Sequence, residues 1–285
     1  MTVQANTGDA LAADRTTDDR VRAQQAAVGR RRRQLMLNVA IRVASLVVVL
    51  GLWQIFGGYV DQSLFTTPSK IFVAAIEMIG SGELWAYLAP SLLVLAIGLT
   101  LAATIGTILG LLLARFWVFD VAMGVYITFL YSIPSVALVP LIVLWAGFDV
   151  TAKVVILFLF AFFPMVINTY QGVKNVDPKL IEVGRSFRCS EAQLWKNIVL
   201  PGALPFIVTG LRLAVGRGLI GMVLADLYTA ISGVGYLIVR TASTYQVDKM
   251  FVPIVTLGLI GVSLTAMLRF LEIRVAPWTR AGDQD

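Results

Sequence analysis

The sequence predicts an all-α membrane protein, a polytopic bundle of six transmembrane helices that carries a helix-turn-helix on its cytoplasmic side. Hydrophobic residues make up 58% of the 285 residues and charged residues only 14%, which is far from the composition of a soluble domain. Several apolar stretches approach the roughly 20 residues that cross a bilayer. Between the fourth and the fifth of them, residues 175–201 are polar and charged but keep the periodicity of helices.

Composition also excludes several classes of function. A formal net charge of +6 is typical of a membrane protein with basic cytoplasmic loops, and no basic-aromatic surface indicates nucleic-acid binding. The sequence contains no histidine, so histidine-dependent catalysis is excluded and a metal site is not expected. The single cysteine, Cys189, permits no internal disulfide bond.

The chain is expected to have three parts. Residues 1–35 predict a disordered cytoplasmic tail, residues 36–275 the six-helix domain, and residues 276–285 a second cytoplasmic tail. The four arginines at 30–33 could begin a signal peptide, but the apolar stretch at 37–56 is too long for one and no cleavage site follows it. We therefore interpret the arginines as an anchor that keeps the N-terminus in the cytoplasm and the stretch as the first span.

Two elements are predicted after the first span. Residues 58–86 contain an amphipathic run that indicates an external helix along the membrane interface. The second span follows at about 91–114, where Gly106 and Gly110 have the spacing that lets two membrane helices approach closely.

The third predicted span, at about 121–145, contains prolines at mid-membrane depth. Pro134 follows Ser132 and Ile133, and Pro140 comes later in the same stretch. Proline leaves a carbonyl without its helical partner, and such carbonyls are tolerated where they are buried in protein or face water. The pattern is typical either of a packed kink or of a helix that lines a pathway.

The fifth predicted span, at about 206–227, follows a fourth at 154–170 and is unusual because it contains Arg212, Arg217 and Asp226. Charges at membrane depth normally face a bundle interior or a wet cavity. Arg212 lies near the inner boundary and either extends to the surface or faces the interior. Arg217 is deeper, and about 13.5 Å of helix rise separates it from Asp226, so both need partners on other helices or another subunit.

A sixth span at about 253–271 would place both termini on the same side of the membrane. The basic residues are concentrated in the two tails and in the loop at 171–205. The opposite loops are expected to contain only Lys70, Lys153, Arg240 and Lys249. The positive-inside rule therefore predicts cytoplasmic termini and a cytoplasmic 171–205 loop.

The 171–205 loop is predicted to form a helix-turn-helix. Asp177 is a suitable N-cap, with Pro178 at the first helical position. Ser190 and Gln193 match a capping box that opens a second helix. The apolar residues that recur on one face of the first helix are Val176, Leu180, Val183 and Phe187.

At this loop the chain resembles the permease subunits of ABC importers. Their loop reads Glu-Ala-Ala, three residues, Gly, nine residues, Ile-x-Leu-Pro. Val183 and Gly184 stand where the two alanines would be. Arg188 stands where the glycine would be, although arginine is poorly suited to a left-handed turn. The positions that match are Glu182, Ile198, Leu200 and Pro201.

Two further segments are similar to the nitrate, sulfonate and taurine branch of that family. One runs from Gly210 to Asp226, where the branch usually carries glutamate, and the other is the outer loop at 232–237. The resemblance implies the type I ABC importer permease fold in a bacterial inner membrane. It also implies a pathway for a small anionic or polar solute such as a sulfonate, nitrate or taurine.

The resemblance further implies that the loop docks on a separate ATPase. The chain has no Gly-x4-Gly-Lys-Ser/Thr sequence, so ATP and Mg²⁺ would bind the partner, and the chain itself is not expected to be an enzyme. Two ATPase subunits, a second and identical permease and an extracytoplasmic solute-binding protein would complete the complex. The expected docking residues are Leu180, Glu182, Val183, Gly184, Phe187 and Arg188.

The candidates for the solute pathway are Ser132, Pro134, Arg212, Arg217 and Asp226. Arg217 would favour an anion if it faces a cavity, or else it is structural. A secondary transporter or channel that needs no ATPase is the alternative function, but such proteins use membrane-buried carboxylates, and only Asp226 lies within a span. A membrane enzyme would need clustered acids and bases, which the sequence lacks.

Overall fold

The computed structural model describes residues 33–34, 36–61 and 64–275, and within these ranges every regular element is a helix. Apart from Arg33 and Gln34, the predicted tails at 1–35 and 276–285 lie outside the described residues. Internal contacts divide the chain into two units, Met1–Asp61 and Gln62–Asp285. The first unit contains helix α1, Met36–Gly57, an apolar helix long enough to cross a membrane.

The second unit contains the remaining helices, several of which are separated by very short connections. A π-helical turn, Trp195–Val199, joins α8 to α9 so that Glu191–Thr229 is one continuous rod. The helices are α2 (Pro68–Gly80), α3 (Glu83–Arg115), α4 (Trp117–Ser132), α5 (Ser135–Ala146), α6 (Val150–Lys174), α7 (Pro178–Ser186), α8 (Glu191–Leu194), α9 (Leu200–Thr229), α10 (Val234–Ser243) and α11 (Val247–Val275).

The six predicted spans are all helical in the structure. Among the described residues, five helices are long and apolar enough to cross a membrane, and α4 with α5 forms a sixth candidate that is bent by 97°. Each helix or helix pair is longer than the apolar stretch that predicted it, because helices continue past the bilayer core into polar turns. The last helix, for example, begins at Val247 and not near residue 253.

Helices α3, α6 and α9 form the core of the second unit. A Cβ atom added at Gly106 would lie 2.6 Å from the Cβ of Met165, and one at Gly110 would lie 2.7 Å from the Cβ of Thr169. The close helix approach predicted from the glycine spacing is therefore confirmed, with α6 as the partner. The apolar side chains that fill this core include Leu95, Leu157 and Met222.

The bend between α4 and α5 interrupts one span. It lies at Ile133 and Pro134, where proline cannot continue the hydrogen-bond pattern of α4. Ile127 of α4 packs against Phe163 in the second half of α6, whereas Val139 of α5 packs against Ile156 in its first half. The two pieces therefore contact different halves of α6.

One segment differs from its predicted form. The sequence indicated an outer loop at 232–237, but the structure begins helix α10 at Val234 and leaves a short connection after α9. Gly233 has φ +102°, a conformation that suits glycine, and it allows the chain to turn directly from α9 into α10. The predicted loop therefore contains both the turn and the first residues of the helix.

Candidate functional sites

Helix α7 has the local structure that its sequence predicted. The Asp177 side chain accepts a hydrogen bond of 2.9 Å from the backbone N–H of Lys179, and Pro178 begins the helix. The Ser190 backbone N–H donates to Gln193 Oε1 at 2.8 Å, and the Gln193 N–H donates to Ser190 Oγ at 3.3 Å. The N-cap and the capping box are therefore both confirmed.

One side of α7 exposes three apolar side chains, Leu180, Val183 and Phe187, which we name the coupling surface. They are 54%, 52% and 80% exposed, although they share a face that the helical periodicity marks as apolar. Glu182 and Arg188 are also exposed. Exposed apolar residues on one helix face are typical of a surface that docks in a groove of another protein.

Two residues expected near this surface lie elsewhere. Val176, predicted on the same face, is buried and contacts the site of Gly202. Gly184 is also buried, because a Cβ atom there would lie 2.5 Å from Leu194 and 2.8 Å from Ile198. Gly184 therefore lets α7 pack closely on α8 and the π-helical turn, and it adds nothing to the exposed surface.

The backbone forms a left-handed turn at Arg188, although arginine is poorly suited to that conformation. Its φ is +54°, the left-handed conformation that a glycine would adopt without strain. The following N–H, of Cys189, donates to the Gly184 carbonyl at 3.0 Å, which closes the end of α7. The turn geometry is thus retained although the residue is an arginine.

An arginine of α3 anchors the helix-turn-helix. Arg115 Nη1 lies 2.7 Å from Glu191 Oε2, and its guanidinium group lies 5.0 Å from the centre of the Trp195 ring. Arg185 of α7 reaches the same carboxylate at 4.0 Å. Nothing local in the sequence indicates these partners of Arg115, because Glu191 is 76 residues away.

Arg217 lies beside the break between α4 and α5. Its Nη2 donates to the Tyr131 hydroxyl at 3.0 Å, its guanidinium group lies 5.2 Å from the Tyr131 ring, and the side chain is exposed. Ser132 and Pro134 are the next exposed residues along the chain. The structure therefore places Arg217 against Tyr131, the residue before Ser132, and sequence reasoning missed this tyrosine.

A cavity of about 340 Å³ lies next to these residues, between the end of α3 and helices α4 and α6. Tyr131 borders it, together with Asp120, Thr128 and Tyr170. Asp120 accepts a hydrogen bond of 2.9 Å from the Tyr170 hydroxyl and lies 3.4 Å from Lys174 Nζ. Within the described ranges, no group of three or more carboxylate, thiol or imidazole side chains could hold a metal ion.

The other two pathway candidates have partners within the bundle. Arg212 pairs with Glu272 of α11, so it joins the ends of two helices. Asp226 is buried and its Oδ1 lies 2.7 Å from Lys153 Nζ of α6. The expectation that Asp226 needs a partner on another helix is confirmed, whereas the assignment of Lys153 to an outer loop was wrong because α6 begins at Val150.

The long apolar helices, the broken span and the exposed amphipathic helix define a membrane-spanning subunit of a transport system. Residues 102–277 match the family of binding-protein-dependent transport system inner membrane components, and the chain belongs to that family. It is therefore a multi-pass inner membrane protein and the permease subunit of an ABC importer, a family whose members work with an ATPase and a binding protein.

Curated relatives place the chain in the sulfonate and taurine branch. SsuC of Bacillus subtilis (strain 168), named for aliphatic sulfonates transport, is 35% identical over 81% of this chain and 84% of its own. The taurine transport system permease protein TauC of Escherichia coli (strain K12) is 28% identical over 86% and 91%. These relatives are transport permeases, which decides against the alternatives of a membrane enzyme and of a secondary transporter or channel.

The fold also matches a solved transporter. The crystal structure of an amino acid ABC transporter with histidines superposes with a TM-score of 0.50 at 19% sequence identity, and the match covers 72% of this chain and 97% of that chain. At this identity the likeness extends to the fold, which is the type I importer permease fold expected from the sequence.

Proposed function

We propose that this permease imports a small anionic or polar solute of the sulfonate, nitrate or taurine class, as one of two identical permease subunits. The observation that carries the solute class is the exposed guanidinium group of Arg217, held by Tyr131 next to the break in the α4–α5 span. A cation at membrane depth is costly unless it faces water or a partner, and a passing anion gains from it. The names of the SsuC and TauC relatives support the same class.

Energy for import would come from two ATPase subunits, which bind ATP and Mg²⁺ while this chain binds neither. The coupling surface supports this assignment because its three apolar side chains need a partner groove. Glu182 and Arg188 would form the polar rim of that contact. Closure of the two ATPases on ATP would draw two such surfaces together and rock the spans between inward-open and outward-open states.

The charge distribution supports a cytoplasmic position for α7 and for both termini. The end of the second unit that holds α7 also holds basic side chains in excess, as the positive-inside rule requires of a cytoplasmic end. At the opposite end the basic side chains are few, and three of them have acidic partners: Lys153 with Asp226, Lys249 with Glu77 at 3.0 Å, and Arg240 with Glu83 at 3.6 Å. An extracytoplasmic solute-binding protein would deliver solute at this second end.

Uptake by the reconstituted complex tests the proposal. Proteoliposomes that contain this chain and its ATPase, with the binding protein outside, should accumulate an alkanesulfonate, taurine or nitrate only when ATP is enclosed. An uncharged solute of similar size serves as the matched control and should not accumulate. Equal uptake without the ATPase would overturn the proposal that ATP hydrolysis drives import. Preference for the uncharged solute would overturn the proposal that Arg217 favours an anion.

A further inference from the structure

The proposed ATPase and solute contacts do not involve the most deeply buried charges among the described residues of the second unit, although one of them, Asp226, was a pathway candidate in the sequence. The side chains of Lys153 and Asp226 are 4% and 1% exposed, and their Nζ and Oδ1 atoms lie 2.7 Å apart. A buried ion pair seldom adds stability beyond that of an apolar pair of similar volume, whereas the loss of one partner is strongly destabilising. The pair is therefore better explained by what it holds in place than by stability alone.

The two charges hold the connection between α9 and α10. Lys153 Nζ donates to the Ser232 carbonyl at 2.6 Å and reaches Ser232 Oγ at 3.2 Å. Asp226 Oδ2 accepts from Ser91 Oγ of α3 at 2.5 Å, and Ser91 Oγ in turn accepts from the Val234 N–H at 2.8 Å. We name these five residues the Lys153–Asp226 cluster; it joins α3, α6, α9 and the start of α10.

The connection lies directly against the carboxylate. A Cβ atom at Gly233 would collide with the Asp226 carboxylate, and one at Gly235 would lie 2.5 Å from the Val223 carbonyl. The Gly235 N–H also points to Asp226 Oδ2, at 3.4 Å. Glycine at these two positions therefore lets the backbone close over the ion pair and exclude water from it.

A second, exposed set of contacts joins α10 to α3. Arg240 Nη1 donates to the Tyr87 hydroxyl at 2.6 Å, and the rings of Tyr87 and Tyr236 lie 5.9 Å apart. These contacts are partly solvent-exposed and so contribute little to holding α10. The buried cluster is therefore expected to contribute more to the position of α10 than this surface contact does, in addition to the buried apolar side chains of α10 such as Leu237.

We propose that Lys153 and Asp226 are positioning residues for transport: they fasten α10 to α3, α6 and α9, so that these four helices move as one body when the permease changes state. This inference goes beyond the proposed solute and ATPase contact, because it needs neither. It implies that α10 does not lift away from α3 to admit solute. A broken cluster should release α10, while the exposed Arg240 contact should be dispensable.

Cysteine labelling tests the attachment without any transport. Thr241 lies on the buried side of α10 and accepts cysteine with little change in volume, in the full chain that also carries Cys189→Ser. With Lys153→Met or Asp226→Asn, a membrane-impermeant maleimide added on the α10 side should label Thr241→Cys at least about tenfold faster. Arg240→Gln, the matched control on the exposed side of α10, should change the rate by less than about twofold.

The double variant Lys153→Met with Asp226→Asn keeps the experiment decisive if a single variant fails to insert. It leaves no unpaired buried charge, so it should fold, and it still lacks the two contacts of Lys153 to Ser232. Its labelling should also exceed that of the intact cluster. Labelling that is unchanged in the single variants or, where these fail to insert, in the double variant would overturn the proposal.

A cross-link tests the movement itself. Cysteines at Tyr87 and Tyr236, in the Cys189→Ser chain, should be joined by a short bismaleimide, and the joined complex should keep uptake within about twofold of the unjoined one because α3 and α10 do not separate. Abolished uptake after joining would show that α10 must open. If the unjoined complex takes up nothing, the proposed solute class fails, and the labelling result still decides the role of the cluster.

Discussion

Arg188 adopts the left-handed backbone conformation of a turn that usually contains glycine. A non-glycine residue in the left-handed region costs about 1 kcal/mol, and Arg188 has φ +54°. The hydrogen bond from Cys189 N–H to the Gly184 carbonyl and the packing of Gly184 on Leu194 fix that turn from both sides. The surrounding contacts therefore outweigh the local preference of arginine.

Relief of this strain should be measurable. We expect Arg188→Gly to stabilise the detergent-purified permease by about 0.5–1 kcal/mol, because glycine adopts this φ without strain. Arg185→Gly is the matched control: Arg185 is helical, so glycine there should destabilise by about 1 kcal/mol. Thermal unfolding distinguishes the two shifts. Loss of uptake by a stabilised Arg188→Gly variant would assign the Arg188 side chain to the ATPase contact.

Arg217 carries the prediction on solute class. Arg217→Ala should lower uptake of an anionic solute at least about tenfold, because the cation beside the α4–α5 break is lost. Tyr131→Phe keeps the ring under the guanidinium group and removes only the hydroxyl acceptor, so its effect should be less than about threefold. Normal uptake by Arg217→Ala would make this arginine a packing residue, and loss of the ATPase from the purified complex would show that its effect is indirect.

Helix α7 is attached to the rest of the unit by one set of residues, and it exposes a different set, the coupling surface. Gly184 and the Arg115–Glu191 pair attach the helix to α8, the π-helical turn and α3. The coupling surface faces away from these attachments. A π-helical turn at the base of a span is a common place for a functional distortion, and here it lies between the coupling helix and α9. In the proposed coupling, a push on α7 would reach two spans, α3 and α9.

Charge on the coupling surface should uncouple transport. Leu180→Asp places a carboxylate where an apolar groove is expected, so ATP-driven uptake should fall at least about tenfold while insertion is unchanged. Lys179→Asp places a carboxylate in the same turn, outside the coupling surface and near a helix N-terminus, where it is favourable; although it changes the charge by two units and Leu180→Asp by one, it should keep most of the uptake. Less ATPase should copurify with Leu180→Asp than with Lys179→Asp. Equal uptake by the two variants would remove α7 from the coupling contact.

The local elements could be predicted from the sequence, and the pairing of distant residues could not. Asp177 and the Ser190 capping box depend on neighbours within a few residues, so their structure follows directly from the sequence. The partner of Asp226 is Lys153, which is 73 residues away and came before the apolar stretch that marked the fourth span. An intramembrane carboxylate indicates that a cation must exist, but only the packing of α6 against α9 identifies it.

At the scale of the whole molecule, one chain offers one coupling surface, whereas an importer driven by a pair of ATPases needs two. Within residues 64–275, a single helix-turn-helix lies between the spans. Rocking motions of paired subunits are symmetric when both subunits present the same surface, as in a two-fold dimer. The homodimer is thus the simplest assembly that the one coupling surface permits.

A mixed complex tests the homodimer and the coupling together. Two differently tagged copies of the chain should copurify in mild detergent with two ATPase subunits, which mass photometry can count. When one copy carries Leu180→Asp and the other is wild type, sequential purification on both tags isolates the mixed complex. Its uptake should fall well below half of the wild-type rate, because both surfaces must be drawn together in one ATPase cycle. A mixed complex that retains half of the activity would mean that the two surfaces act independently, and failure of the tags to copurify would replace the identical partner with a different permease.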